Sequence, residues 1–294
     1  MSNVGCVALL GAGGTMGQGM ARNIAAAGVS VRAWNRTAEK IEELAQEERI
    51  VACETPAEAA AGADALITIL SDTDAVLAAM DGRDGAIAGA AEGAIWVQAG
   101  TIGVEGIERC AELAERAGLV LVDAPVLGTK QPAEQGQLVV LGSGPEAARQ
   151  RLEPVFEAIG KRTMWVGEAG TGTRLKVAVN SWICTVVEGV AETLSLAQGT
   201  GVDPNLVMEA VADGPLDLPY MKMKGRSMLE GDFTPSFRLA LAAKDARLAV
   251  RAAQEAGLEL PMLEAIGERM SEAAEHYGDE DLSAVYRASA PATT

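Results

Sequence analysis

Through the first half of the chain, short runs of β-branched and aliphatic residues alternate with alanine-rich stretches of helical period. Runs at 4–10, 29–34, 65–70, 95–98 and 119–123 read as strands, and 16–27 and 38–46 as helices. That alternation predicts βαβ units on a parallel sheet. Gly28, Gly62, Gly118 and Gly160 each follow a helical stretch and suit the left-handed residue that closes a helix. Thr55-Pro56 and Asp203-Pro204 suit helix starts. Residues 138–141 and 163–166 read as the last strands.

After Val166 the strand signal stops. From 171 to 200 there is one helical pattern without proline, interrupted only by Gly172, Gly189 and Gly199, and further helices are expected at 205–212, 223–230, 236–256, 262–275 and 282–288. The expected architecture is an α/β, doubly wound domain over 1–165 followed by an all-α domain over 166–294, joined by the long helix. Its apolar stretch, 177–187, contains Asn180, Ser181 and Thr185 and falls short of the roughly 20 residues that a membrane span needs. A helix so apolar is expected to be covered by another domain or subunit, which makes a homodimer or homotetramer the expectation.

Composition narrows the function classes. A length of 294 residues suits two domains, and aromatics at 3% leave an aliphatic core. The net charge of −17 repels nucleic acid and anionic membrane surfaces, so neither is expected as a partner. Cys6, Cys53, Cys110 and Cys184 are scattered and propose neither a disulfide framework nor a zinc site. With no basic segment before the short apolar run at 4–10, a cytoplasmic location is expected. The single histidine, His276, makes a Ser-His-Asp hydrolase or a His-ligated metal improbable, and no metal is expected. In an enzyme, another group must then move protons.

The first strand runs directly into Gly11-Ala12-Gly13-Gly14-Thr15-Met16-Gly17 and then a helix. Strand, glycine turn and helix start together form a pyrophosphate cradle: glycines permit close backbone approach, and the helix N-terminus offers unpaired N–H groups. The spacing is irregular. Counted from Gly11 and Gly13 the third glycine is one residue late, and counted back from Gly17 the first becomes Ala12, as a one-residue insertion explains. The second strand ends at Asn35-Arg36-Thr37, where NAD-binding domains carry an acidic residue for the ribose. Arg36 there suits a 2′-phosphate, so NADP(H) is favoured over NAD(H), unless Arg36 merely opens the next helix in solvent.

These residues resemble the β-hydroxyacid dehydrogenases, the 3-hydroxyisobutyrate dehydrogenase-like enzymes that include glyoxylate/succinic semialdehyde reductases. The resemblance covers nearly the whole chain. It rests on the glycine turn, Asn35-Arg36-Thr37, Ala99-Gly100-Thr101, Asp123-Ala124-Pro125-Val126, the Gly170, Gly172, Lys176 and Asn180 spacing, and Lys244-Asp245. The run from Lys130 to Leu138 is similar to the glyoxylate/succinic semialdehyde reductase branch. It implies a Rossmann-type first domain and hydride transfer between nicotinamide and a small aldehyde acid or β-hydroxyacid, of glyoxylate, succinic semialdehyde or 3-hydroxyisobutyrate type.

The resemblance marks Lys176 as catalytic, and chemistry agrees: an aldehyde accepting hydride becomes an alkoxide that must be stabilised and protonated. Lys176 and Asn180, four apart on a helix, face the same way, and burial among Val177, Val179 and Ile183 is expected to lower the lysine pKa. The plain alternative is a solvated lysine near a helix start. By the same resemblance Thr101 lies beside the nicotinamide (or caps a helix), Lys244 near the cofactor, Asp245 near the substrate, and Phe237 closes the substrate pocket. Leu70 and Ser71 end a strand at the ligand-binding edge of the sheet. Arg36, Lys130, Lys176, Lys222, Lys224, Arg226 and Lys244 are candidate local cations against the acidic background, with Lys222 and Lys224 on an exposed helix start. The substrate loop departs from the family: where most members carry serine, this chain has Leu127, followed by Gly128 and Thr129. The alternatives are an imine reductase-like NADPH enzyme, against which Lys176 argues, and a catalytically silent dinucleotide-binding scaffold.

Overall fold

The computed structural model describes residues 3–290, and the chain divides into two compact units, Met1–Lys176 and Val177–Thr294. The first is built on strands β1 (Cys6–Leu10), β2 (Ser30–Trp34), β3 (Ile50–Ala52), β4 (Ala65–Thr68), β5 (Ile95–Gln98) and β6 (Val120–Asp123). All pair parallel in the order β3-β2-β1-β4-β5-β6. Helices α1 (Gly17–Ala26), α2 (Pro56–Ala60), α3 (Thr73–Met80), α4 (Ala86–Gly89) and α5 (Gly103–Arg116) alternate with them.

Strand alternation accounts for the two layers. Val7, Leu9, Val31 and Ile67 face a core shared with Met20 and Ile24 of α1. Ala8, Leu10, Leu66 and Trp96 face the opposite core with Met80 and Ile107. With both faces covered, the strands are continuous apolar runs. The strand order reverses between β1 and β4, and the crevice beyond their carboxyl ends is where such sheets bind ligands.

After β6 come β7 (Val126–Leu127), α6 (Lys130–Glu134), β8 (Leu138–Gly142), α7 (Glu146–Ile159) and β9 (Gly160–Trp165). β8 pairs antiparallel with β7 and parallel with β9 in a second, three-stranded sheet. Helix α8 runs from Thr171 to Gly199, and the chain partition falls within it, after Lys176 rather than at 165. The second unit is helical: α9 (Asn205–Val211), α10 (Pro219–Glu230), α11 (Leu239–Glu255), α12 (Pro261–Tyr277) and α13 (Tyr286–Ser289). Leu194, Leu239, Met270 and Leu282 are among its core residues. Among the described residues no helix is long and apolar enough to cross a membrane.

Three expectations are corrected. Residues 38–46 form two 3-10 turns, Ala38–Ile41 and Leu44–Gln46, instead of one α-helix. Ile41 and Leu44, three apart, are both buried, and i,i+3 alignment is the geometry of a three-residue turn. Gly160 is extended at φ −137° and leads straight into β9, whereas Gly28, Gly62 and Gly118 are left-handed. The segment around Lys222 and Lys224 is an exposed helix start only in part: α10 begins at Pro219 and Lys222 is exposed, paired with Asp217 at 2.6 Å, but Lys224 is buried against Asp281.

Candidate functional site

The glycine turn stands at the carboxyl end of β1, inside the crevice. Gly11 has φ +98°, and a Cβ there would overlap the Ile69 carbonyl just beyond β4. At Gly17, the first residue of α1, a Cβ would overlap the Gly11 carbonyl. Glycine at both ends therefore brings the helix start against the strand end. A Cβ at Gly13 would meet Lys40 Cβ at 2.6 Å and Asn35 Cγ at 2.8 Å, so the turn also lies on the segment after β2. Gly14, with Thr15, is exposed, and the amide of Gly14 closes the turn on the Gly11 carbonyl at 3.0 Å. The amides of Thr15 and Met16 donate to no main-chain carbonyl among the described residues, no side chain caps α1, and no acidic residue occupies its first turn. These features fit a pyrophosphate by backbone amides and helix dipole.

Beside the turn, Asn35 Nδ2 donates to the Thr37 carbonyl at 2.9 Å, which shapes the Asn35-Arg36-Thr37 corner. Arg36 and Thr37 are exposed. Sequence reasoning missed Lys40. Its place four residues after Arg36 was the available signal, obscured by reading 38–46 as one helix.

Across the crevice, a Cβ at Gly100 would stand 2.6 Å from the Leu70 carbonyl, which brings the segments after β4 and β5 together. Gln98, fully buried, fastens the second: its Nε2 donates to the Gly100 carbonyl at 2.8 Å, and its Oε1 accepts the Gly100 amide at 3.0 Å. Thr68 donates to the same Oε1 at 3.2 Å and accepts from Trp96 Nε1 at 3.0 Å. Thr101 follows, half-buried, and α5 begins two residues later with Ile102 at its cap, so Thr101 is not the helix cap. Ser71 is exposed and donates to Asp72 at 2.6 Å, the cap of α3. Gln98 was a second residue missed, although a polar side chain ending an apolar strand was a visible anomaly.

Lys176 is buried, and its Nζ donates to the Val126 carbonyl on β7 at 2.8 Å. This excludes the solvated reading. Leu127 pairs with Val139, Gly128 has φ +130°, and Thr129 opens α6. A Cβ at Gly128 would meet Leu138 Cδ2 at 2.7 Å, so the loop is drawn against β8.

In the second unit, Asn180 Nδ2 donates to Asp245 Oδ2 at 2.6 Å, while the buried Asn180 Oδ1 accepts no hydrogen bond among the described residues. Asp245 also pairs with Lys244 at 2.9 Å. Phe237 is half-buried, and its amide donates to Asp281 at 3.2 Å. Of the remaining candidate cations, Lys130 pairs with Glu134 at 3.9 Å and Arg226 with Glu230 at 3.8 Å, both on the surface.

Residues 6–167 match the family model of the NAD-binding domain of 6-phosphogluconate dehydrogenase, and 170–289 that of the NAD-binding domain of NADP-dependent 3-hydroxyisobutyrate dehydrogenase. Glyoxylate/succinic semialdehyde reductase 1 of Arabidopsis thaliana is 33% identical over 94% of this chain and 95% of its own length. The solved 3-hydroxyisobutyrate dehydrogenase of Mycobacterium tuberculosis superposes with a TM-score of 0.86 at 26% identity, covering 98% of this chain and 99% of that one. An imine reductase of Myxococcus stipitatus, 18% identical with a TM-score of 0.64 over 96% of this chain and 99% of its own, shares the fold. The chain belongs to the 3-hydroxyisobutyrate dehydrogenase-like family of β-hydroxyacid dehydrogenases and is an NAD(P)-dependent hydroxyacid dehydrogenase.

Proposed function

We propose that this enzyme reduces small aldehyde acids of glyoxylate, succinic semialdehyde or 3-hydroxyisobutyrate-related type with NADPH, reversibly, as a cytoplasmic homodimer or homotetramer. The observation that carries the reading is the buried side chain of Lys176, whose Nζ is held at 2.8 Å by the Val126 carbonyl. The reduced nicotinamide supplies the hydride when bound. The part of the protein is to receive the charge that develops on the carbonyl oxygen. An ammonium has three N–H donors, and Val126 directs the group by occupying one. Lys176 holds the oxygen as it becomes an alkoxide and delivers a proton to it, leaving a hydroxyl.

Asn180, one helical turn on, contributes its amide carbonyl as acceptor for that hydroxyl, supported by Asp245. Gly11, Gly13, Gly14, Thr15, Met16 and Gly17 hold the pyrophosphate, and Leu70, Ser71 and Thr101 border the nicotinamide. Asn35, Arg36 and Thr37, joined by Lys40, hold the 2′-phosphate. Gly128 and Thr129 take the substrate carboxylate, with Leu127 narrowing the choice toward a less polar substrate end. Lys244, Asp245 and Phe237 keep the roles that the family resemblance implies.

The test is NADPH oxidation against glyoxylate, succinic semialdehyde, methylmalonate semialdehyde and tartronate semialdehyde. Lys176→Ala is expected to lower kcat by about 10²- to 10⁴-fold with NADPH affinity retained; full turnover in that variant rejects the mechanism. Arg36→Asp is expected to weaken NADPH far more than NADH, and an unchanged preference rejects the phosphate assignment.

A further inference from the structure

In the run Asp123-Ala124-Pro125-Val126 the mechanism uses Val126 and leaves Asp123, its one charged residue, without a role. Asp123 ends β6, is fully buried, and carries a carboxyl that desolvation pushes above the ordinary range even though hydrogen bonds from Thr173, Ser143 and Gly170 pull it down. A carboxylate kept in so unfavourable a place must be doing something that an apolar residue cannot.

Its partners lie at the start of α8. The Thr173 amide donates to Oδ2 and the Thr173 hydroxyl to Oδ1, both at 2.7 Å. Ser143 donates to Oδ2 at 3.2 Å, and its Oγ in turn accepts the Gly172 amide at 3.0 Å. Two main-chain bonds, at 2.8 and 2.9 Å, tie Ser143 to Asp123. A Cβ at Gly172 would overlap the Leu141 carbonyl and come within 3.0 Å of the Asp123 carbonyl, so the first turn of α8 rests directly on the ends of β6 and β8. The contacts Asp123–Thr173 and Val126–Lys176 hold the first turns of α8 against the segment that runs from the end of β6 into β7.

We propose that Asp123 is a positioning residue for Lys176: with Ser143 it fixes the height and rotation of the first turn of α8, and thereby the place of the Lys176 nitrogen. The inference rests on the reading of Lys176 as proton donor. Position, rather than charge, is what the carboxylate supplies. Oδ2 receives an amide and a hydroxyl and must be an oxygen, which asparagine also offers, and the asparagine nitrogen can meet the Thr173 hydroxyl, which turns round to accept from an N–H. Asparagine therefore satisfies the Thr173 and Ser143 partners without the charge, and alanine satisfies none.

The experiment compares Asp123→Ala, Asp123→Asn and the milder Thr173→Val, each alone and in a Lys176→Ala background, with kcat, KM for NADPH, and hydrogen exchange of residues 171–176 as readouts. Displacement of a catalytic group by about 1 Å costs about 100-fold. The expected results are that loss in kcat for Asp123→Ala, a smaller one for Thr173→Val, recovery of most activity in Asp123→Asn, and little change in KM for NADPH. Exchange in the first turn should be faster in the alanine and valine variants. In the Lys176→Ala background none of the three should lower the residual rate further. Equal losses with asparagine and alanine, or the same fold-loss when Lys176 is absent, would overturn the proposal. Full turnover of the Lys176→Ala enzyme would remove the proton-donor reading alone. Exchange at 171–176 then still decides the positioning of the helix start, and unchanged protection in Asp123→Ala would overturn it.

Discussion

At the level of single residues, the second unit is held by a charge that no sequence pattern advertises. Asp281 accepts from Lys224 Nζ at 2.6 Å, from the Ser236 and Ser283 amides and hydroxyls, and from the Phe237 amide. Both members of the ion pair are almost fully buried. Burial pushes the Asp281 carboxyl up, but the Lys224 bond and charge with the surrounding amides outweigh it and hold it below the ordinary carboxylate range. A depressed pKa stabilises the fold above the unfolded value, near pH 4, and that contribution is lost as pH falls through the folded value. Lys224→Met leaves the carboxylate buried without its cation and is expected to cost about 3–5 kcal/mol. It also removes the main cause of the depressed pKa, so acid unfolding followed by circular dichroism should begin at higher pH than in the parent. An unchanged acid midpoint would refute this account. Lys222 and Lys224 look alike in the sequence, two residues apart on a helix, yet one is at the surface and the other in the core. Asp123 was hidden for a similar reason. Its partners Ser143 and Thr173 lie 20 and 50 residues away, beyond any local spacing rule, whereas Lys176 and Asn180 were legible because a helix places them together.

Secondary-structure elements were legible where burial is two-sided or periodicity long. The strand at 95–98 reads directly from its apolar run, since β5 is buried at every residue on both faces. Short elements were not, because tertiary packing decides them: Ile41 and Leu44 are drawn into the core and tighten 38–46 into 3-10 turns. Gly160 misled because its missing Cβ makes room for the Leu138 carbonyl, 2.8 Å from where one would stand, and provides no helix-closing turn. Helix α1 gives the sharpest test at this scale. A Cβ at Gly17 would overlap the Gly11 carbonyl and crowd the Ala12 backbone of the turn, whereas one at Gly19, two residues on, would stand 2.7 Å from the Ala133 backbone of α6. Alanine at either place overpacks the helix and should cost about 1–3 kcal/mol. Only Gly17→Ala moves the helix start away from the phosphates, so NADPH affinity should fall by at least about tenfold there and stay nearly constant in Gly19→Ala. Calorimetry and cofactor titration separate the two effects, and parallel loss of affinity in both variants would reject the assignment of Gly17 to the cradle.

For the whole molecule, the governing opposition is between charge and apolar surface. A net charge of −17 makes copies of the chain repel one another. Yet among the large hydrophobic side chains of the described residues that stand exposed, all but Val51 belong to the second unit. On α8 the exposed Trp182 (60%) and Leu196 (67%), with the exposed Gly189 midway, recur every seven residues and line one stripe of the helix. An apolar surface of this kind on an otherwise charged protein marks an association face, and it is the physical ground for the proposed homodimer or homotetramer. The two forces respond differently to salt. At about 0.15 M the Debye length is roughly 8 Å, so added salt screens the repulsion between copies while leaving apolar burial intact. Self-association measured by sedimentation should therefore tighten as sodium chloride is raised from about 0.02 to 0.3 M, the reverse of an interface held by ion pairs. Replacing Trp182 and Leu196 together by glutamate adds charge to the stripe and should leave a monomer at every salt concentration. A parent chain that sediments as a monomer throughout, or a double variant that keeps the parent's mass, would show that this stripe is not where copies meet.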